Sequence, residues 1–204
     1  MDNQDSKRDR ILDAAEKRFV HYGLTKTTMN EIADDLSMSK ASLYYYFADK
    51  VNLYEAVIDR LFILHFKDME KALSAEMSNE HKLWTYLNMR HEFVKKYYRL
   101  LELQKLSGSE AHAILDRKFK EQRKQKELCL LMDIIEKGKA SGEFDVADPE
   151  QMLELMMDCT MGLRWLVLNA NSNSPFPEEE LFDMVLNKQR LLTEIFIKAL
   201  KSRA

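Results

Sequence analysis

The chain has 204 residues, 46% of them hydrophobic and 32% charged, with a net charge of -3 and an isoelectric point near 6.0. This composition excludes a disordered chain, and the length is ample for a packed core. Five glycines and three prolines are too few for a turn-rich β architecture, so an all-α protein of about nine helices is expected.

The first helix is expected from about Asp5 or Ser6 to His21, with Ile11, Ala15 and Phe19 on one stripe and Leu12 beside them. Gly23 supplies the left-handed stop that a helix C-terminus favours. Thr27 to Phe47 reads as two short helices across a tight turn. Successive residues of the second are about 100° apart, so Leu43 and Phe47 share a face while Tyr45 points nearly opposite, with Tyr44 and Tyr46 on the flanks. The middle tyrosine must therefore stand in solvent or against a partner. Ser39 is placed to cap this helix, and Ala41 and Ser42 project on the same side as Tyr45, one turn nearer its start. Small residues at a helix start let its backbone approach base edges, Lys40 can donate to a guanine or a phosphate, and phenols can donate to phosphates. Lys50, following Asp49 at the next helix start, suits a phosphate.

The run from Thr28 through Ile32-Ala33 to Ser39-Lys40-Ala41-Ser42-Leu43-Tyr44-Tyr45-Tyr46-Phe47, then Lys50 and Leu53, resembles the DNA-binding domain of TetR-family transcriptional regulators. It covers roughly the first quarter of the chain. The resemblance implies that Thr28 starts the second helix and contacts phosphate, with Met29 beside it near the groove. It places Lys40, Ala41, Ser42 and Tyr45 towards the groove, and Tyr44, Tyr46 and Lys50 on the DNA backbone. Ser37 stands where a turn glycine is common and Ala41 where glycine often occurs; a non-glycine residue at positive φ costs on the order of 1 kcal/mol.

A fourth helix is expected from Asp49 to about Ser78, carrying Leu53, Val57, Leu61 and Leu64, and a fifth from about Glu80 to Leu106, ended by Ser107-Gly108-Ser109. A short helical piece at Glu110 to Asp116 then leads into a charge-rich helix, Lys118 to Glu127, with an apolar second half from Leu128 to Ile135. Lys137-Gly138-Lys139 and Ser141-Gly142 close it. Asp148-Pro149 opens a helix over Gln151 to Leu168, and a last one runs from Glu178 to Lys201 beyond a polar separator, Asn169 to Pro177. These two are apolar on more than one side, so one side is expected to pack at home and the other on a second subunit. Met161, Leu166, Leu181, Val185, Leu192 and Phe196 are the candidates for that seam, and Gly162 permits close helix approach. The expected organisation is a DNA-binding domain over residues 1–48 and a ligand-binding and dimerisation domain over 49–204.

The resemblance further implies a small-molecule effector among the middle helices, and the aromatic and sulfur-bearing positions favour a hydrophobic or aromatic one. Candidates are Phe62, Phe66, Trp84, Met89, Arg90, Phe93, Met132, Met156, Thr160 and Trp165, with His91, His112 and Arg164 as further polar anchors. His21, His65, His81, His91 and His112 form no His-x-x-x-His pair, and Cys129 and Cys159 sit in apolar helical patterns, so no metal or disulfide is expected. No phosphate loop or nucleophile elbow is present, so neither catalytic residues nor a cofactor are expected. No apolar run reaches the roughly 18 residues of a membrane span, and the polar start lacks a signal-peptide core, which predicts a cytoplasmic protein without a membrane partner. The function expected is a homodimeric, effector-released regulator, most often a repressor, on palindromic double-stranded operator DNA. The alternative is a helical ligand-binding or interaction protein that does not read DNA.

Overall fold

The computed structural model describes residues 2–102, 110–170 and 178–201. Among these the chain forms eight helices: α1 Asp2–Lys26, α2 Met29–Asp35, α3 Lys40–Tyr46, α4 Lys50–Leu73, α5 Asn79–Glu102, α6 Glu110–Ala140, α7 Pro149–Ala170 and α8 Glu179–Leu200. The short piece expected before the charge-rich helix is part of α6, because no glycine or proline interrupts residues 110 to 137. α4 stops at Leu73 rather than Ser78, where the Ser74 hydroxyl takes up the Lys71 carbonyl at 2.8 Å. The break expected at Ser107-Gly108-Ser109 lies outside the described residues, as do residues 171–177 of the separator expected from Asn169 to Pro177, whereas Asn169 and Ala170 continue α7 instead of opening that separator. No helix of the described residues is long and apolar enough to cross a membrane.

Local chemistry explains the helix ends in the first quarter. Within α1, Gly23 has φ 80 and ψ 164, a conformation open to glycine, and there the helical path breaks. Thr28 and Glu31 form a reciprocal capping box at the start of α2, and the Ser39 hydroxyl accepts from the Ser42 amide at 3.1 Å at the start of α3. Between them Ser37 takes φ 51, so the turn keeps its left-handed geometry without glycine. Asp49 caps α4, its Oδ1 accepting from the amides of Val51 and Asn52 at 2.9 and 2.8 Å.

The chain divides into two compact units. The first comprises Met1–Lys67 and Tyr97–Ala113, and the second Asp68–Lys96 and Ile114–Ala204, so that α4, α5 and α6 each contribute residues to both. Ile11, Leu12, Ala15 and Phe19 from α1, Ile32 from α2, Leu43 from α3 and Leu53, Val57 and Ile58 from α4 are fully buried in the first unit. The edge of the Tyr54 ring meets the Phe19 ring at 5.7 Å, and the Tyr54 hydroxyl donates to the Leu100 carbonyl. Arg60 ties α4 to α1 through Asp13 and Glu16 at 2.8 and 2.9 Å.

In the second unit Met69, Leu83, Tyr86, Leu128, Leu131, Ile134, Leu153, Met156 and Ile197 build one apolar cluster. Its floor is the turn after α6. Gly138 is buried against the Phe144 ring so closely that a Cβ there would lie 2.1 Å from a ring carbon. The neighbouring Glu143 carboxylate accepts from the backbone amides of Asn79 and Glu80, at 3.1 and 2.9 Å, and so caps α5 from outside that helix. Burial works against the Glu143 anion, but these amides and the Asn79 side chain outweigh it and hold its carboxyl below the ordinary range.

Candidate functional site

α3 presents the outward edge that its spacing predicts. Leu43 and Phe47 are buried, whereas Tyr45 is 74% and Tyr44 46% exposed. Ser39, Lys40 and Ala41 are exposed, and Ser42 and Tyr46 half-buried. The Tyr45 and Tyr46 rings meet edge to face, with centroids 5.4 Å apart. Thr28 is exposed at the start of α2. Met29 is not part of this edge: it is 7% exposed, turned under α2 into the apolar interior.

The angle between α1 and α2 is held by Arg18. Its Nε and Nη2 donate to the two Asp35 carboxylate oxygens at 2.5 and 2.7 Å, and Nη1 lies 3.4 Å from Glu31. These bonds keep the Asp35 carboxyl below its ordinary range, while the Thr28 amide and hydroxyl do the same for Glu31. Lys50 is half-buried, and its ammonium donates to the carbonyls of Leu24 and Thr27 at 2.9 and 3.0 Å. It does not stand free at a helix start as its position predicts. Nothing in the sequence marks those two carbonyls as its partners, since they lie 26 and 23 residues away.

The residues expected around an effector do not gather in one unit. Phe62 and Phe66 belong to the first; Trp84, Met89, Arg90, Phe93, Met132, Met156, Thr160 and Trp165 belong to the second. Met156 is a member of the core cluster, against which Trp84, Met89 and Met132 pack half-buried. Thr160 spends its hydroxyl on the Met157 carbonyl at 2.9 Å, while its own carbonyl accepts from Gln189 at 2.7 Å. Arg90 donates from Nε to Glu127 at 3.0 Å, and the Tyr86 hydroxyl donates to the same carboxylate oxygen at 3.0 Å. Burial opposes the Arg90 charge, but the Glu127 carboxylate outweighs it and keeps the guanidinium protonated. Burial, aided by that carboxylate, pushes the Tyr86 hydroxyl well above its ordinary range. His91 is buried with its edge to the Phe182 ring at 6.5 Å, and its Nε2 has no hydrogen-bond partner among the described residues. The His112 side chain lies outside the described residues.

Trp165 is 60% exposed and stands on the outer face of α7 with Leu155, Met161 and Leu166. On α8, Met184, Leu191 and Ile195 are exposed in the same way. Val185 and Phe196, expected in a subunit seam, are buried within the chain, and Leu181 and Leu192 are half-buried. Met161 and Leu166 are the members of this outward set already expected in a seam; the others were not separable from the inward residues in the sequence, because α7 and α8 are apolar on two sides and spacing does not say which side faces home.

Comparison with known proteins agrees with this geometry. The family model for bacterial regulatory proteins, tetR family, matches residues 11–57, which spans α2, α3 and the start of α4. The crystal structure of a transcriptional regulator from Cytophaga hutchinsonii is 32% identical, covers 96% of this chain and 99% of its own, and superimposes with a TM-score of 0.86. The transcriptional repressor KstR2 of Mycolicibacterium smegmatis is 28% identical over 169 residues, 78% of this chain and 79% of KstR2. FadR from Bacillus subtilis, solved in complex with stearoyl-CoA, shares the fold at 16% identity with a TM-score of 0.63, over 94% of this chain and 98% of FadR. The chain belongs to the TetR family of bacterial transcriptional regulators.

Proposed function

We propose that the protein binds a palindromic operator as a homodimer and represses transcription until a small hydrophobic effector releases it. The observation that carries this reading is α3: a short helix with small, exposed residues at its start and a 74% exposed tyrosine behind them. Such an edge fits a major groove, with Lys40, Ala41, Ser42 and Tyr45 towards the bases and Thr28, Ser39, Tyr44 and Tyr46 towards the phosphates. The exposed apolar face of α7 and α8 supports pairing with a second copy, which sets two α3 helices about one DNA turn, ~34 Å or somewhat more, apart. Residues 1–48 then read DNA, and residues 49–204 hold the partner copy and the effector. As a TetR-family member the chain is a DNA-binding regulator rather than an enzyme.

The methionines and aromatics of the second unit favour an apolar effector there, with Arg90 as the polar anchor. An effector of this kind lowers operator affinity only by the difference between its affinities for the two dimer geometries, and α4, which follows α3 directly and contributes residues to both units, is an element placed to transmit that difference. The experiment is selection of duplexes from a random library by the purified protein. An inverted repeat with half-sites one helical turn apart is expected. Recovery of no preferred sequence contradicts the DNA-reading proposal and favours a ligand-binding protein that does not read DNA.

A further inference from the structure

We propose that Arg90 and Glu127 form a head-group site for an uncharged apolar ligand whose polar end sets a hydrogen-bond acceptor beside a donor, as a primary carboxamide does. This assignment rests on the reading of the second unit as the part that holds the effector, and it adds the charge of that effector. Along α5, Leu83, Tyr86, Arg90 and Phe93 fall on one face at helical spacing. The other three are buried, so a single cation interrupts an apolar stripe. Its partner Glu127 immediately precedes Leu128, a member of the apolar cluster, on α6. Only 14% of the Arg90 side chain and 12% of the Glu127 side chain are exposed.

The pair uses few of its hydrogen-bonding groups. Of the five donors of a guanidinium, Arg90 engages one, Nε, at 3.0 Å from Glu127 Oε2, and the Tyr86 hydroxyl donates to that same oxygen at 3.0 Å. Among the described residues no acceptor lies on Nη1 or Nη2 and no donor on Oε1, and none of these three atoms is sealed from solvent. The carbonyl of a carboxamide accepts from Nη and its NH2 donates to Oε1, so one group completes both partners. Charge decides against the corresponding acid. The guanidinium and the Glu127 carboxylate already cancel, and a ligand carboxylate on Nη is a second anion beside Glu127 where little water screens the two. An acid therefore binds there only after taking up a proton.

The probes are decanamide and decanoate, with phenylbutyramide and phenylbutyrate as an aromatic pair, titrated calorimetrically into the DNA-free protein at a pH well above the ordinary carboxylate range. The wild type is expected to bind at least one amide, at least tenfold more tightly than the matching acid. Glu127→Gln leaves the guanidinium uncompensated and is expected to turn that preference towards the acid. Arg90→Leu combined with Glu127→Leu replaces the pair by apolar groups, a change buried ion pairs tolerate, so it reads the head group even where Glu127→Gln fails to fold. Its affinity for the amide is expected to fall at least tenfold, whereas a ligand held by its apolar body alone keeps its affinity. The proposal is overturned by an acid bound more tightly than its amide in the wild type, by binding of neither amide, by a folded Glu127→Gln with the wild-type order, or by undiminished amide binding in the double variant. Amide binding that leaves the selected duplex bound removes the effector role and keeps the head-group site. Release of the duplex by the acids alone does the reverse.

Discussion

Substitution of Trp165 by alanine tests the pairing face directly. In the single chain Trp165 is 60% exposed, which leaves roughly 150 Å² of a ring system of about 250 Å² to be covered by a partner. At about 25 cal/mol per Å² this is on the order of 3–4 kcal/mol per protomer, and a two-fold interface uses the residue twice. Anchors of this type cost at least about 2 kcal/mol each on truncation, so two copies weaken pairing by roughly a thousandfold. Sedimentation velocity across nanomolar to micromolar concentrations reads this out. The wild type is expected to be dimeric at micromolar concentration and Trp165→Ala to dissociate there, with the helical circular dichroism of both alike. A wild type that is monomeric at micromolar concentration, or a variant with an unchanged dissociation constant, refutes the assignment of this face.

Two further substitutions probe the second unit. At Gly138 an added Cβ lies 2.1, 2.6 and 2.9 Å from three carbons of the buried Phe144 ring, an overlap that outweighs the gain of up to about 1 kcal/mol for alanine in a helix. Gly138→Ala is expected to lower the denaturation free energy by about 1–2 kcal/mol in urea titration, and equal or greater stability contradicts the packing described. His91 tests pH dependence. Burial holds its pKa below the ordinary value, with Glu92, Lys95, Asp183 and Arg190 as the charged groups around it. The unfolded chain therefore binds the proton more tightly. The stability contributed by neutral His91 is present above about pH 6.5 and is lost as pH falls through the folded value. His91→Gln is expected to remove this component of the acid slope, and an unchanged slope counts against it.

What the sequence made legible was local. The cap at Ser39, the helix start at Asp49, the stop at Gly23, and the opposition of Leu43 to Tyr45 each depend on residues a few places apart, and each appears where the spacing puts it. The helix start at Thr28 was implied by the resemblance, and its capping box with Glu31 is equally local. The all-α class followed from composition for the same reason. Long-range choices were not legible. Trp165 and Phe196 sit in similar apolar surroundings along the chain, yet one faces outward and the other inward, because the partner of each side is chosen by tertiary packing. Met29 was placed near the groove by resemblance, but the first position of α2 turns inward here. The continuity of α6 and the carbonyl partners of Lys50 belong to the same class, since both depend on elements distant in sequence.

The central claim is that the outer edge of α3 reads DNA, and Tyr45→Ala on the selected duplex tests it most directly. Tyr45 lies outside the core, so the variant is expected to keep the wild-type unfolding midpoint and to remain dimeric, while its operator affinity falls at least tenfold. Undiminished operator binding by a folded, dimeric Tyr45→Ala contradicts it.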